Sequence, residues 1–175
     1  MSILKVARMG HPVLRERGRP LERADLRKPP LQKLIDDMIE TMHEYAGVGL
    51  AAPQVHYPIR LFVALLDEDP DDSTTETVVV NPEIVPAGTA RADGWEGCLS
   101  IPDIRGLVPR FTEIIVRGLD REGKALELPL KGFSARVVQH EADHLDGVLF
   151  FDRMESMQSL TYLDEYSRFH VKDKD

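Results

Sequence analysis

The chain has 175 residues, of which 42% are hydrophobic and 30% charged, and its formal net charge is -8. This length suits one compact domain covering residues 1 to 175, and no apolar run approaches the roughly 18 residues that a membrane span requires. A single cysteine excludes an internal disulfide, so it must be a packing residue, a nucleophile or a metal ligand. The start shows no apolar signal core, so a cytoplasmic location is expected.

Residues 1 to 30 are basic, with eight Lys and Arg against three Asp and Glu. This basic end indicates either RNA binding or an ordinary solvated surface, and apolar and proline residues between the charges favour the solvated surface. An arginine-rich start is also typical of mitochondrial transit peptides, but its acidic residues disfavour that interpretation.

The first helix is predicted in "LQKLIDDMIETMHEY", where apolar residues recur with the period of one helical face. It should end at "AGVGLAAPQ", because Gly47 and Gly49 permit positive φ and Pro53 interrupts regular structure. We expect this second stretch to be a constrained, extended loop.

Apolar and β-branched runs predict strands in "IRLFVALL" and "TVVVNPEIV", joined by the acidic, exposed "DEDPDDSTTE". "FTEIIVRGLDREGKALELPL" predicts a hairpin with Gly123 in its turn. A second helix is predicted in "FSARVVQHEADHLDG", with Gly147 at its C-terminal cap, and residues 152 to 175 are expected to form a last helix and a fraying tail. This order predicts an α+β fold, with mixed or antiparallel strands packed around a central helix.

The second helix carries "HEADH", in which His140 and His144 stand four residues apart and Glu141 follows the first histidine. On a helix this spacing places both imidazoles on one face, where they can bind one metal ion. Glu141 would then lie beside the metal, where it can exchange protons with water. Such a short motif also arises by chance on a polar helical face, so the interpretation depends on a third ligand.

Catalytic divalent metals usually have three protein ligands and one open position. Asp146 is too close along the helix to complete the set, and His170 lies in the tail. Cys98 is the better candidate, since Gly97 before it would allow the backbone to present the thiol. Its alternative role is that of a small buried packing residue.

Three motifs resemble the signatures of the peptide deformylase family in order and spacing: "GVGLAAPQ", "EGCLS" and "QHEADHLDG". The similarity extends through "RMGHPVLR", "NPEI" and "IPDIRGLVPR" to about Arg153. The resemblance implies a metal-dependent hydrolase that removes the N-formyl group from the N-terminal formylmethionine of nascent polypeptides. It also implies a bacterial cytoplasmic location, with an organellar one as the alternative.

By this resemblance Cys98, His140 and His144 match the metal ligands. The donor set suits zinc, iron, cobalt or nickel, and intrinsic affinity favours zinc over ferrous iron. The resemblance nevertheless implies Fe(II) in the cell, with zinc, nickel or cobalt as other occupants.

The resemblance also assigns the catalytic groups. Glu141 matches the acid–base, whereas the Gln54 amide and the Leu99 backbone N–H match the two donors to the reacting oxygen. A preorganised donor of this kind typically contributes about a hundred- to thousandfold in rate.

Substrate contacts are predicted at the first motif and after the cysteine. Gly49 matches a position that offers backbone contacts to the substrate, and Arg105 resembles a substrate-side position. Val48, Leu50 and Val137 are apolar residues that could line a slot for the methionine side chain, although each is also an ordinary core residue.

The implied partners are N-formylmethionyl nascent peptides and, transiently, the ribosome, whereas the oligomeric state is not predicted. Residues 152 to 175 contain six acids against four bases, which disfavours ribosome docking through this tail. Besides RNA binding through the basic first thirty residues, two alternatives stay open. A zinc peptidase would need a third ligand other than Cys98, and a binding protein with a structural metal would give Glu141 no catalytic role.

Overall fold

The computed structural model describes residues 2–67 and 74–171. Within these ranges the helices are α1 (Arg23–Leu26), α2 (Pro29–Glu44), α3 (Gly132–Leu145) and α4 (Leu163–Phe169). The strands are β1 (Gly49–Ala51), β2 (Leu61–Asp67), β3 (Thr74–Pro86), β4 (Arg91–Cys98), β5 (Ile101–Phe111), β6 (Glu113–Leu119), β7 (Ala125–Lys131) and β8 (Thr161–Tyr162). Short 3-10 turns lie at Pro12–Arg15, Ala52–Val55, Phe150–Arg153 and Met157–Ser159. No helix in the described ranges has the length and apolarity needed to cross a membrane.

The strands form two antiparallel sheets. The larger sheet has the order β1-β2-β3-β6-β7, and the smaller has the order β4-β5-β8. Neighbouring named strands run antiparallel throughout. The α+β prediction is therefore confirmed, and of its two strand alternatives the antiparallel one is found.

Helix α3 lies at the centre of the molecule, in contact with β1, β2, β5 and β7. Its apolar residues Ala135, Val138 and Leu145 pack against the larger sheet, which contributes Phe62 and Val79 to the same core. Because both sides of α3 are covered, its polar residues are buried as well. This burial holds the motif histidines in a fixed environment with little exposure to solvent.

The end of α3 is set by Gly147, as predicted. Gly147 has φ 71°, a conformation that glycine adopts without steric cost. The Gly147 N–H donates to the His144 carbonyl at 3.3 Å, and the Val148 N–H donates to the Asp143 carbonyl at 2.9 Å. These two bonds form a Schellman cap, which closes the helix immediately after the second motif histidine.

Most predicted elements are found, including α2, the strands β2 and β3, and the β6–β7 hairpin, in whose turn Gly123 has φ 83°. The loop predicted at "AGVGLAAPQ" is wrong in part, because residues 49–51 pair with β2 and residues 52–55 form a 3-10 turn. Of the acidic connection after β2, residues 68–73 lie outside the described ranges.

The smaller sheet was not predicted as strands. Glycine and proline residues at 94, 97, 102, 106 and 109 interrupt any apolar alternation in β4 and β5, yet the two strands pair along most of their length. The last predicted helix is also shorter than expected, since it begins only at Leu163, after a 3-10 turn and the short strand β8. Residues 172–175 of the predicted fraying tail lie outside the described ranges.

Candidate active site

The predicted metal ligands meet at one point. Cys98 ends β4, whereas His140 and His144 lie one turn apart on α3. Their ligand atoms all lie within 4.8 Å of one another, and Cys98 Sγ is 3.2 Å from His144 Nε2. Residues from two separate parts of the chain thus form one candidate metal site.

The chemical state of these residues fits a divalent metal. Burial raises the pKa of the Cys98 thiol, but the neighbouring His144 and His140 outweigh burial and lower it well below its usual value. The thiolate is the form of cysteine that binds metal. His140 Nδ1 is held by Glu96 Oε2 at 2.9 Å, so its other ring nitrogen is free to act as a ligand.

Glu96 is the centre of a buried charge network. Its carboxylate accepts two hydrogen bonds from Arg110, at 2.9 and 3.0 Å, and one from Arg136 at 2.8 Å. Burial raises the pKa of Glu96, but the hydrogen bonds with His140 and Arg110 outweigh it and lower that pKa to about 2. Glu96 is therefore an anion that fixes the ring orientation of His140.

Three further hydrogen bonds extend this network across the site. Arg110 donates to Asp143 on α3 at 2.5 Å, and Arg153 donates to the same carboxylate at 2.7 Å. Arg136 also donates to the Val108 carbonyl at 2.7 Å. Because the bonds of Arg110 and Arg136 join α3 to the smaller sheet, they hold the histidines in register with Cys98.

Glu141 lies next to the three ligands and is buried. Among the described residues, its Oε2 has no hydrogen-bond partner. Burial raises the pKa of Glu141 to about 7. A carboxyl group with a pKa near neutrality can both accept and donate a proton at physiological pH.

Gln54 and Leu99, the two predicted hydrogen-bond donors to the reacting oxygen, lie beside the candidate metal site. Gln54 accepts a bond from the Ala51 N–H through Oε1 at 2.8 Å, which orients its amide. Its Nε2 then donates to Cys98 Sγ at 3.5 Å and to Ser100 Oγ at 3.2 Å. Leu99 occupies the tight turn between β4 and β5, where Cys98 pairs with Ile101.

A cavity of about 590 Å³ opens beside these groups. Its lining includes the predicted substrate positions Val48, Gly49 and Arg105, as well as Val137. Leu50 does not belong to this set, because it is fully buried in the core that α2 forms with β2. Val48 precedes β1, which begins only at Gly49, so the alternation within a strand does not require Val48 to share the face of Leu50.

The predicted role of Gly97, to let the backbone present the Cys98 thiol, stays a prediction. Gly97 lies in β4 where the register of pairing with β5 shifts, between Glu96 and Cys98, and a Cβ atom there would overlap the guanidinium group of Arg105. Its lack of a Cβ atom also lets the Arg105 side chain cross the strand closely. The exclusion of Asp146 as a ligand agrees with the structure, where Arg60 donates to its carboxylate at 2.7 Å.

Comparisons with known proteins agree with this geometry. Residues 3–160 match the family model described as polypeptide deformylase. The chain belongs to the polypeptide deformylase family. Peptide deformylase 2 of Nostoc sp. is 41% identical over 98% of this chain and 97% of its own length. Peptide deformylase 1 of Bordetella pertussis is 43% identical over 91% of this chain and 92% of its own length.

Solved deformylase structures share the fold. The Met-Ala-Ser complex of the class I type b peptide deformylase from Acinetobacter baumannii matches with a TM-score of 0.82 and 40% identity. It covers 88% of this chain and 100% of that one. The peptide deformylase from Thermotoga maritima matches with a TM-score of 0.79 and 39% identity, over 89% of this chain and 100% of that one.

Several residues at this deformylase-family site were missed by the sequence analysis. Glu96 stands inside "EGCLS" but was given no role, and Arg110 and Arg136 were likewise passed over. One signal was available, because Arg136 precedes His140 by four residues and so lies on the same helical face. Pairing of Arg110 with Glu96 requires the β4–β5 hairpin, which the sequence did not reveal.

Replacing Gly49 with alanine is expected to lower turnover about a hundredfold, with metal content unchanged. A Cβ atom at Gly49 would overlap Glu141 Oε1 and lie 2.7 Å from Glu141 Cδ, so the carboxylate must move. Displacement of a catalytic group by about 1 Å can cost this much. Steady-state formate release measures the effect. Gly88→Ala is the matched control, because a Cβ there meets nothing within 4 Å, and a fully active Gly49→Ala variant would contradict this position of Glu141.

Replacing Glu96 with glutamine is expected to weaken metal binding about 10- to 100-fold, the usual effect of losing a partner that orients a ligand. Glutamine is neutral, so it cannot replace the negative charge that Glu96 presents to Arg110 and His140. Competition with a chelator, on protein whose fold is verified by circular dichroism, measures the affinity. Glu127→Gln, which breaks the exposed ion pair with Arg117, should leave the affinity unchanged. If both variants bound the metal with equal affinity, Glu96 would have no role in metal binding.

Proposed function

We propose that this chain removes the N-formyl group from the N-terminal formylmethionine of nascent polypeptides, using a divalent metal held by Cys98, His140 and His144. The observation that carries the proposal is the convergence of these ligand atoms to within 4.8 Å, beside the buried Glu141. Membership of the family supports the same activity. Residues 1 to 175 act as one catalytic domain in this proposal.

Fe(II) is the ion proposed for the cell, following the family resemblance. A thiolate with two imidazoles also accepts zinc, nickel or cobalt, so these ions are expected to replace iron after purification in air. When bound, the ion supplies Lewis acidity and lowers the pKa of water at the site to about 7.

Glu141 moves the proton in the proposed reaction. Water adds through its oxygen to the formyl carbon, and the Glu141 carboxylate accepts the proton that water gives up. The bond between the formyl carbon and the methionine nitrogen then breaks, and Glu141 returns the proton to the departing amine. Formate and a free N-terminus are the products. The pKa of about 7, caused by burial, suits both steps.

Gln54 and Leu99 stabilise the oxyanion that forms on the formyl oxygen. The Gln54 Nε2 group is already oriented by the bond from the Ala51 N–H to Oε1, so it loses little freedom when it turns from Cys98 Sγ to the substrate. The Leu99 N–H in the β4–β5 turn is the second donor. Fixed donors of this type act where negative charge develops.

The polypeptide is proposed to bind in an extended conformation along β1. The Leu65 N–H donates to the Val48 carbonyl at 2.9 Å, so Val48 faces β2. In an antiparallel ladder successive residues alternate in the direction of their backbone groups. The Gly49 N–H and carbonyl therefore face away from β2, toward the cavity, where a peptide can pair with them.

The methionine side chain fits the apolar part of the cavity. Val48, Phe133 and Val137 line it, and Phe133 is 59% exposed, so it has apolar surface available for a ligand. Little room beside the ligands is the proposed reason why formyl is accepted and larger acyl groups are rejected.

The test is formate release from a formyl-Met-Ala-Ser peptide, using protein purified without oxygen and with its metal content measured on the same sample. Release of one formate per peptide, with an acetyl-Met-Ala-Ser peptide left intact, is the expected result. Metal-loaded protein that releases no formate would overturn the proposal. Cleavage of an internal peptide bond would instead favour the peptidase alternative.

The substrate also sets the proposed location and partners. Formylmethionyl chains are made in the bacterial cytoplasm, which is therefore the proposed site of action. The encounter with the ribosome is proposed to be transient and not to depend on the C-terminal tail, since residues 152 to 175 are acidic on balance.

A further inference from the structure

The segment after the last core residues folds back over the smaller sheet. Strand β8 pairs with the outer edge of β5, where Tyr162 lies opposite Ile104 and Thr161 opposite Arg105. Just before it, Ser159 Oγ accepts a hydrogen bond from the Leu107 N–H at 3.1 Å. Residues 157–170, here called the C-terminal segment, are thus attached to β5 by backbone pairing and by a side chain.

Helix α4 then crosses from β8 to Trp95 on β4. The Trp95 ring lies 5.0 Å from the Tyr166 ring in an edge-to-face arrangement and 4.8 Å from the His170 ring. Aromatic pairs with this separation and geometry are favourable beyond the area that they bury. The two ends of the C-terminal segment are therefore fastened to two different strands, and Leu163, between them, has a defined position.

Leu163 lines the same cavity as the proposed catalytic residues. Cys98, His140 and Glu141 are buried, whereas Leu163 is only half-buried. Leu163 thus lies nearer than these three residues to the mouth of the cavity, where it opens to solvent. A bound polypeptide has its formyl end at the buried ligands and must leave through the mouth, because the rest of the chain cannot be accommodated in about 590 Å³.

From this geometry we infer that Leu163 is a specificity-determining residue, which contacts the nascent chain beyond its methionine and favours apolar side chains there. The inference rests on the proposed function. The substrate class is formylmethionyl peptides of three or more residues, with an apolar residue after the first two. Leu163 offers a half-buried aliphatic side chain for such a residue to cover, and the Trp95–Tyr166 contact keeps it in place.

The test compares peptides of different length on the full chain. Leu163→Ala is expected to lower kcat/KM for formyl-Met-Ala-Leu-Leu about fivefold through KM, as for the loss of a partly buried aliphatic contact. The same variant should process formyl-Met-Ala at the wild-type rate, since this dipeptide lacks the third residue that the inference places against Leu163. Leu163→Met should restore most of the loss, because it keeps an apolar side chain of similar volume.

Phe169→Ala is the matched control, because Phe169 is 69% exposed on the same helix. It should leave both peptides unaffected. Equal losses for the short and long peptides in Leu163→Ala would show a merely structural role and overturn the inference, as would no loss for either. Absence of formate release from every peptide by the wild-type chain would instead reject the proposed function itself.

Discussion

Replacing Glu141 with glutamine is expected to reduce formate release about a hundred- to ten-thousandfold, the usual contribution of general acid–base catalysis. Glutamine has nearly the same size and shape as glutamate but cannot accept and return a proton. The fold and the three proposed ligands should be unaffected, since Glu141 Oε2 has no hydrogen-bond partner among the described residues. Metal content and thermal unfolding should therefore match those of the wild-type chain.

Single-turnover and steady-state formate release, each normalised to metal content, measure this effect. Glu155→Gln is the matched control, because Glu155 is an exposed residue outside the cavity. Wild-type turnover by metal-loaded Glu141→Gln protein would contradict the acid–base role. If the wild-type chain itself bound metal without turnover, the structural-metal alternative would account for the site.

Replacing Cys98 with alanine is expected to abolish metal binding at micromolar concentrations and, with it, formate release. The two histidines would remain, but a pair of imidazoles without the thiolate is a neutral and incomplete ligand set. Loss of an outer partner already weakens metal binding about 10- to 100-fold, so loss of a ligand should have a larger effect. Metal analysis after gel filtration and chelator competition give the affinity.

Cys98→Ser separates the ligand role from packing. Serine has nearly the volume of cysteine, but its hydroxyl ionises far less readily than the Cys98 thiol, whose pKa the neighbouring His144 and His140 lower well below its usual value. If Cys98 is a ligand, both variants should lose the metal and keep the fold. If it is only a buried packing residue, serine should retain the metal. Metal-loaded, hydrolytically active Cys98→Ala protein would support the peptidase alternative, in which another residue is the third ligand.

The elements that the sequence predicted correctly are those whose pattern is local. Helix α2 and the β6–β7 hairpin have apolar periods that match their burial, and Gly147 acts as a cap through its own φ. The motif histidines belong to this class too, because one helical turn brings their side chains together. Each of these predictions depends on residues close together in the sequence, within one helical turn for the histidines and within one hairpin for β6 and β7.

The parts that were missed depend on contacts between distant residues. Strand β1 is only three residues long, and its pairing with β2 decides that it is a strand. Gly97 is crossed closely by the guanidinium of Arg105 on the neighbouring strand, and Leu163 reaches the cavity only because β8 pairs with β5. A local sequence pattern does not specify such long-range contacts, since the partner strand can lie at any separation along the chain.

The sequence by itself therefore determined the chemistry of this protein: a thiol, two imidazoles, a carboxyl group and an amide in three recognisable motifs. Tertiary structure alone decided how those groups work together. It lowered the pKa of Cys98 and raised that of Glu141 to about 7. It also placed Glu96 behind His140. Burial and the proximity of charges cause these changes, and both exist only after strands β4 and β5 have packed against helix α3.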